Sequence, residues 1–291
     1  VKILLTGATG FTGSHLLAQL LERGLAPRCL VRATSDVSSL RDVELVHGDL
    51  ADADSLARAL DGVDVLLNTA SIGFGHGPAL VAAAKKAGVS RAIFISTTAI
   101  FTSLNAKTKS VRIAAEQAIR VSGLRYTIVR PTMIYGTERD RNMIRLIRFL
   151  RRCPVMPVIG SGEHLQQPVY VDDVARAVLL ALDHDAAIGR EYNIAGREPL
   201  TFNAVIDTVA RLLGRRVRKL HLPVAPVIAP LQLAERIGVK LPVKAEQIRR
   251  LNENKTFDYT DAARDLGYAP LSFEEGIARE LTSLRARGSA L

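Results

Sequence analysis

Three glycines in the run Thr6-Gly7-Ala8-Thr9-Gly10-Phe11-Thr12-Gly13 follow directly on an apolar stretch, residues 1–5, and open a segment of helical period. Strand, glycine loop and helix in that order suit a pyrophosphate. Glycine lets the backbone turn tightly and come close to the phosphates, and the helix N-terminus aims free N–H groups and a positive dipole end at them. A glycine-rich turn without a ligand is the plainer reading, and the strand–loop–helix context argues against it.

Further residues extend this into a dinucleotide site. The second apolar run, residues 28–32, ends without the acid that would bind a ribose 2′-hydroxyl and repel a 2′-phosphate, and carries Arg32 at its tip. That favours NADP over NAD; the alternative is that Arg32 is a solvated loop cation. Asp49 in Gly48-Asp49-Leu50 is placed to accept from an adenine amino group while Leu50 covers the ring, or else to form a turn and cap. Thr69, Ala70 and Ser71 end the fourth run, at the sheet edge where ligands bind in such folds.

The elements that must position these residues alternate regularly. Strand-like runs at 1–5, 28–32, 43–46, 63–68, 92–96 and 126–130 interleave with amphipathic helices beginning near Phe11, Asp54, Pro78 and Thr108. This rhythm predicts an α/β fold: a Rossmann-type, doubly wound parallel sheet. The rhythm stops after Pro131. A basic helix at 139–152, a Pro/Gly-rich stretch at 154–162, a helix opening at Asp172 and Asp173 (read as caps), a short strand at 216–222 and a last helix at 273–285 predict a smaller, mostly helical C-terminal substrate lobe. Residues 1–131 and 166–195 are assigned to the dinucleotide domain, and 132–165 and 196–291 to the lobe.

The composition excludes several classes. At 291 residues with 48% hydrophobic and 23% charged, the chain buries a sizeable core and is not disordered. Cys29 and Cys153 make neither a disulfide framework nor a metal cluster, and without a leader pattern the expected location is cytoplasmic. The apolar stretch 222–234 is too short to span a bilayer, holds three prolines, and is expected as buried packing in the lobe. The net charge of +10 comes with only 5% aromatics and scattered cations, which argues against nucleic acid and for an anionic small-molecule substrate; peripheral contact with an acidic membrane is also compatible.

Taken together, TGATGFTG, VRATS, GDL, the ISTT run, RPTMIYG, QPVYVDDVARAV, GREYNIAG and DAARDLGYAPLSFEEGI resemble the extended short-chain dehydrogenase/reductase family over nearly the whole chain. The resemblance implies an NAD(P)-dependent oxidoreductase or epimerase acting on a nucleotide-linked or lipid-phosphate-linked sugar, and a homodimer formed through the helices beginning near Pro78 and Thr108. It also implies a substrate-binding hydroxyl after the fifth strand, matched by Thr97 and Thr98, and a Tyr-x-x-x-Lys pair on the next helix.

That pair is missing. Counting back from Glu116 puts Thr108 at the tyrosine position and Arg112 at the lysine position, where Arg112 still suits a ribose or phosphate; a second register gives Asn105 and Lys109. A threonine hydroxyl is too weak an acid for neutral pH and an arginine stays protonated. Candidate substitutes are Tyr135, on the loop that follows Pro131 and in the family passes near the nicotinamide, together with Lys109 and His76; the plainer readings are a packing tyrosine and an exposed loop histidine. Arg141, Arg145 and Arg148 share one helical face suited to a diphosphate or simply to solvent, and His164 and Gln167 are further lobe-lining candidates. The missing pair also supports a different class: a catalytically atypical NAD(P)H-binding sensor or structural subunit without turnover.

Overall fold

Short β-branched and leucine-rich runs build the centre of the molecule because both faces of their sheet are covered, so that alternation gives way to continuous apolar sequence. The computed structural model describes residues 1–104, 108–236, 245, 248–249 and 252–286, with residues 233–236 described by backbone only. In chain order the first elements are β1 (Ile3–Thr6), α1 (Phe11–Glu22), β2 (Arg28–Val31), β3 (Glu44–His47), α2 (Ala53–Leu60), β4 (Val65–Asn68), α3 (Gly77–Lys86), β5 (Arg91–Ile95), α4 (Lys109–Arg120) and β6 (Tyr126–Pro131). There follow β7 (Ile134–Tyr135), α5 (Met143–Arg152), β8 (Val155–Ile159), β9 (Leu165–Gln166), β10 (Val169–Tyr170), α6 (Val171–Asp183) and β11 (Arg190–Ile194). The last are β12 (Leu200–Thr201), α7 (Phe202–Leu212), β13 (Arg218–Leu222), α8 (Val224–Arg236), α9 (Thr260–Leu266) and α10 (Phe273–Ala286).

Seven parallel strands run in the order β11-β6-β5-β4-β1-β2-β3, the Rossmann-like, doubly wound sheet the sequence predicts. Strand order reverses between β1 and β4, so the crevice beyond Thr6 and Asn68 is the topological switch point. Leu4, Leu30, Leu66, Phe94 and Ile128 of the strands pack with Leu56, Leu60, Leu80 and Ile119 of the helices. The seventh strand, β11, lies outside the six strand-like runs of the sequence.

The chain divides into two compact units, residues 1–132, 171–195 and 258–270 in the first, and 133–170, 196–257 and 271–291 in the second. This moves two segments from the expected boundaries. Residues 166–170 join the lobe because Gln166 pairs with Leu200, and Val169 and Tyr170 pair with Ile134 and Tyr135. Residues 258–270 join the dinucleotide unit, where the Tyr192 hydroxyl meets Asp265 at 3.0 Å and the Tyr268 hydroxyl donates to the Ala195 carbonyl at 2.9 Å.

In the lobe, α5, α7 and α10 pack through Ile144, Ile147, Leu150, Ile206, Val209, Ile277 and Leu281. α5 starts at Met143, later than the expected 139, because the Asp140 carboxylate accepts from the backbone N–H groups of Asn142 (2.8 Å) and Ile144 (3.1 Å) and fixes the first turn there. The stretch 154–162 contains β8, parallel to β13. The apolar segment 222–234 forms most of α8 with Pro230 inside it, and of its described side chains only Ile228 is buried, which corrects its assignment to buried packing. No described helix is long and apolar enough to cross a membrane.

Candidate functional site

At the switch point the loop after β1 is shaped by close contacts. Gly7 has φ +75°, and a Cβ there would lie 2.7 Å from Thr69 Oγ1 and 2.8 Å from the Ala70 nitrogen. A Cβ at Gly13 would lie 2.0 Å from the Gly7 carbonyl oxygen, so the third glycine is required for helix α1 to sit against the loop. Gly10 N–H donates to the Gly7 carbonyl at 2.8 Å, and Gly10 caps α1 with no side-chain acceptor. The first-turn N–H groups of α1, at Phe11 and Thr12, therefore meet no side-chain cap among the described residues and face the position of a ligand's oxygens. Asn68 is tied to this wall, accepting from Thr6 Oγ1 at 2.7 Å and donating to the Ala70 carbonyl at 3.0 Å. Thr69 Oγ1 donates to the Thr6 carbonyl at 2.7 Å, and Ser71 Oγ accepts from Gly73 N–H at 3.3 Å. These residues fit a dinucleotide.

Arg32 is exposed just past β2, and no acid partner faces its guanidinium among the described residues. Asp49 is exposed and accepts from Ala51 N–H at 2.8 Å, the turn reading, while Leu50 packs on the core. His76 is not the exposed loop residue expected. It sits half-buried at the start of α3, its Nε2 has no hydrogen-bond partner among the described residues, and desolvation pulls its pKa down against the opposing charge of Asp49.

Around the expected acid–base pair, Arg112 donates to Thr108 Oγ1 at 2.6 Å, and its guanidinium lies against Gly73, where a Cβ would meet Nε at 2.9 Å. Thr108, Arg112 and the turn after β4 are thus brought together. Lys109 Nζ donates to the Thr102 carbonyl at 2.5 Å, which fixes it locally; Asn105 lies outside the described residues. Thr97 Oγ1 accepts from Ala99 N–H at 3.2 Å and remains half-buried. Thr98 is buried and its hydroxyl donates to the Pro131 carbonyl at 3.3 Å.

Tyr135 takes the plainer role, that of a packing tyrosine, and not that of a proton donor. It is 1% exposed in the core of the lobe, its ring against Tyr170 and Phe273 and its hydroxyl 3.4 Å from the Phe273 carbonyl. A Cβ on Gly276 would lie 1.9 Å from that hydroxyl, so α10 seals it and it is not presented as an acid. Gln167 is likewise structural: Nε2 donates to the Gly196 carbonyl at 2.8 Å and Oε1 accepts from Phe257 N–H at 2.8 Å. Asp172 contacts His15 Nδ1 at 2.5 Å, and Asp173 pairs with Arg176; both lie in the first turn of α6 rather than capping it. Arg141, Arg145 and Arg148 are exposed, Arg141 preceding α5. Arg141 and Arg145 line a cavity of about 320 Å³ in the lobe; His164 and Gln167 do not.

One charge network has almost no signature in the sequence. Arg130 on β6 donates to both oxygens of Glu116, at 2.9 and 2.6 Å, and to Glu191, while Arg120 bridges the same two acids. The exposed ring of Phe101 lies 5.4 Å from the Arg130 guanidinium carbon. This cluster joins α4, which starts after Thr108 and carries Arg112, to the sheet. Its only sequence signal is an acid on a buried helix face.

Residues 7–185 match a family described as NAD(P)H-binding. A ceramide reductase of Caulobacter vibrioides is 31% identical over 235 residues, covering 76% of this chain and 73% of that protein. A 3 beta-hydroxysteroid dehydrogenase/Delta 5→4-isomerase of Mycobacterium tuberculosis is 26% identical over 323 aligned residues, 93% and 86% of the two chains. The fold matches a UDP-glucose 4-epimerase from Thermotoga maritima, solved with UDP-glucose, at a TM-score of 0.77 and 21% identity over 99% of both chains. With the glycine cradle at a Rossmann switch point, these likenesses establish that the chain is an NAD(P)-binding member of the extended short-chain dehydrogenase/reductase family.

Proposed function

We propose that this protein is an NADP-preferring oxidoreductase acting on a secondary alcohol or the corresponding carbonyl of a nucleotide-linked or lipid-phosphate-linked molecule. The observation that carries the reading is the cradle of Gly7, Gly10 and Gly13 with Arg32, and no acid, at the tip of β2. Bound there, the nicotinamide dinucleotide supplies or accepts the hydride. The chain's residues hold and orient: the α1 N-terminus takes the pyrophosphate, Arg32 a 2′-phosphate, and Arg112, braced by Thr108, the ribose or a phosphate. A threonine in place of tyrosine leaves the substrate oxygen to exchange its proton with water rather than with an ionisable side chain.

Titration calorimetry with NADPH and NADH, followed by a screen of alcohols and ketones for a change in nicotinamide absorbance, tests the proposal. NADPH binding tighter than NADH, with turnover, is the expected result. Failure to bind either dinucleotide would end it. The Thr108–Arg112 hydrogen bond favours a second reading, a cofactor-sensing or structural protein. Tight NADPH binding with no turnover across the screen would select that one.

A further inference from the structure

The chain has three methionines, and all three, Met133, Met143 and Met156, line the 320 Å³ cavity of the lobe. In 291 residues such a concentration is informative, because methionine is the apolar side chain best able to reshape itself around a flexible ligand. Phe149 and Phe202 widen the apolar wall. Two of the polar groups in the lining, Arg141 and Arg145, are exposed and have no acid against them among the described residues. Gln166, also in the lining, already donates to the Glu253 carbonyl at 3.4 Å. A cavity of this size suits a small ligand. A nucleobase would leave its hydrogen-bonding edge facing thioether and phenyl groups at a desolvation cost, whereas an alkyl chain matches the wall and an anionic head matches the two guanidiniums.

The dinucleotide unit makes the same point separately. Phe74, on the turn after β4, is 80% exposed and Phe101, on the turn after β5, is 53% exposed. Both turns lie at the C-terminal edge of the parallel sheet, where members of such folds meet their ligands. Exposed phenyl rings there suit an apolar reactant better than a polyhydroxylated sugar.

We propose that the substrate is an anionic amphiphile, an alkyl or acyl chain held among the three methionines with its phosphate or carboxylate head on Arg141 and Arg145. This rests on the oxidoreductase reading for its place in a reaction, but the site itself is independent of the cofactor.

Calorimetry tests it on the intact protein with four probes: dodecyl phosphate and dodecanoate below their micelle concentrations, the neutral dodecyl maltoside, and UDP-glucose. Either anionic chain binding at least about tenfold more tightly than the neutral one, with UDP-glucose failing to displace it, is the expected result; the stronger of the two identifies the head group. The double variant Arg141→Ala/Arg145→Ala then loses the preference for anionic over neutral chains, while Met156→Gln weakens both. UDP-glucose displacing dodecyl phosphate, no binding of either anionic chain, or an undiminished preference in the double variant would overturn the proposal. NADPH titration of the same samples separates the two readings. Amphiphile binding without NADPH binding sinks the oxidoreductase and leaves the site. NADPH binding without amphiphile binding does the reverse.

Discussion

Arg130 lies inside the dinucleotide unit with Glu116 and Glu191 gripping its guanidinium, whereas Arg145 stands on α5 of the lobe, exposed and with no acid against it among the described residues. The contrast repeats. Arg28 reaches Glu44 and the carbonyls of Ala59 and Asp61, and Arg91 is spent on the carbonyls of Arg125 and Ala181 and on Thr127, its pKa brought down to about 10 by burial. Arg141 and Arg148 resemble Arg145. A net charge of +10 therefore counts two populations: guanidiniums that work as multi-armed donors joining strands and helices, and guanidiniums whose charge faces outward. Only the second bears on what the protein attracts.

The largest expected effect breaks the first population. Glu116→Ala removes one of the two acid partners from each of Arg130 and Arg120 in a buried setting, leaving Glu191 to face two guanidiniums, and should cost about 3–5 kcal/mol in urea unfolding; a loss near zero would show that the cluster does not join α4 to the sheet.

The lobe carries the reverse case, a buried acid with no cation against it among the described residues. Glu280 on α10 is fully buried, and burial first, then the charge of Asp140, push its pKa up to about 9. The fold therefore keeps the proton that the unfolded chain releases above its ordinary value of 4.5. Stability from this group is complete below about pH 4.5, declines as pH rises, and is fully lost above about pH 9. Glu280→Gln should flatten that decline and stabilise the protein at pH 8 by a few kcal/mol, to order of magnitude, in denaturation curves collected from pH 5 to 9. A slope unchanged by the substitution would refute it.

Smaller effects sharpen the second population. Arg32→Asp should weaken NADPH binding by about tenfold or more while sparing NADH, since it exchanges a phosphate partner for a repelling carboxylate. Equal losses for both cofactors would mean that Arg32 does not read the 2′ position. Arg148→Ala, on the same helix as Arg145 but outside the cavity lining, should leave unfolding stability within about 0.5 kcal/mol and amphiphile binding unchanged.

Six of the seven sheet strands are legible in the sequence because each is an apolar run between turn residues. β11 hides because it is an edge strand: Arg190, Glu191 and Asn193 interrupt its apolar positions, and its identity depends on pairing with β6, distant in sequence. The glycine cradle is equally legible, since each glycine answers a local steric demand. Tyr135 misleads for the opposite reason. Nothing in Ile134-Tyr135-Gly136 says that Gly276, far along the chain, leaves just the space its hydroxyl fills. The Glu116–Arg130 cluster and the three-methionine cavity have the same character, assembled from segments whose sequences carry no mark of one another.

Cys29 lies fully buried in the middle of β2, and burial raises its thiol pKa to about 12, so alkylating reagents reach a reactive thiolate there only when the sheet opens. Cys153, partly exposed, serves as the internal reference on the same chain. The ratio of their labelling rates is a clock for local opening of the dinucleotide unit, and because β2 runs into Arg32, a ligand clasped at that tip should slow the clock at Cys29 without touching the one at Cys153.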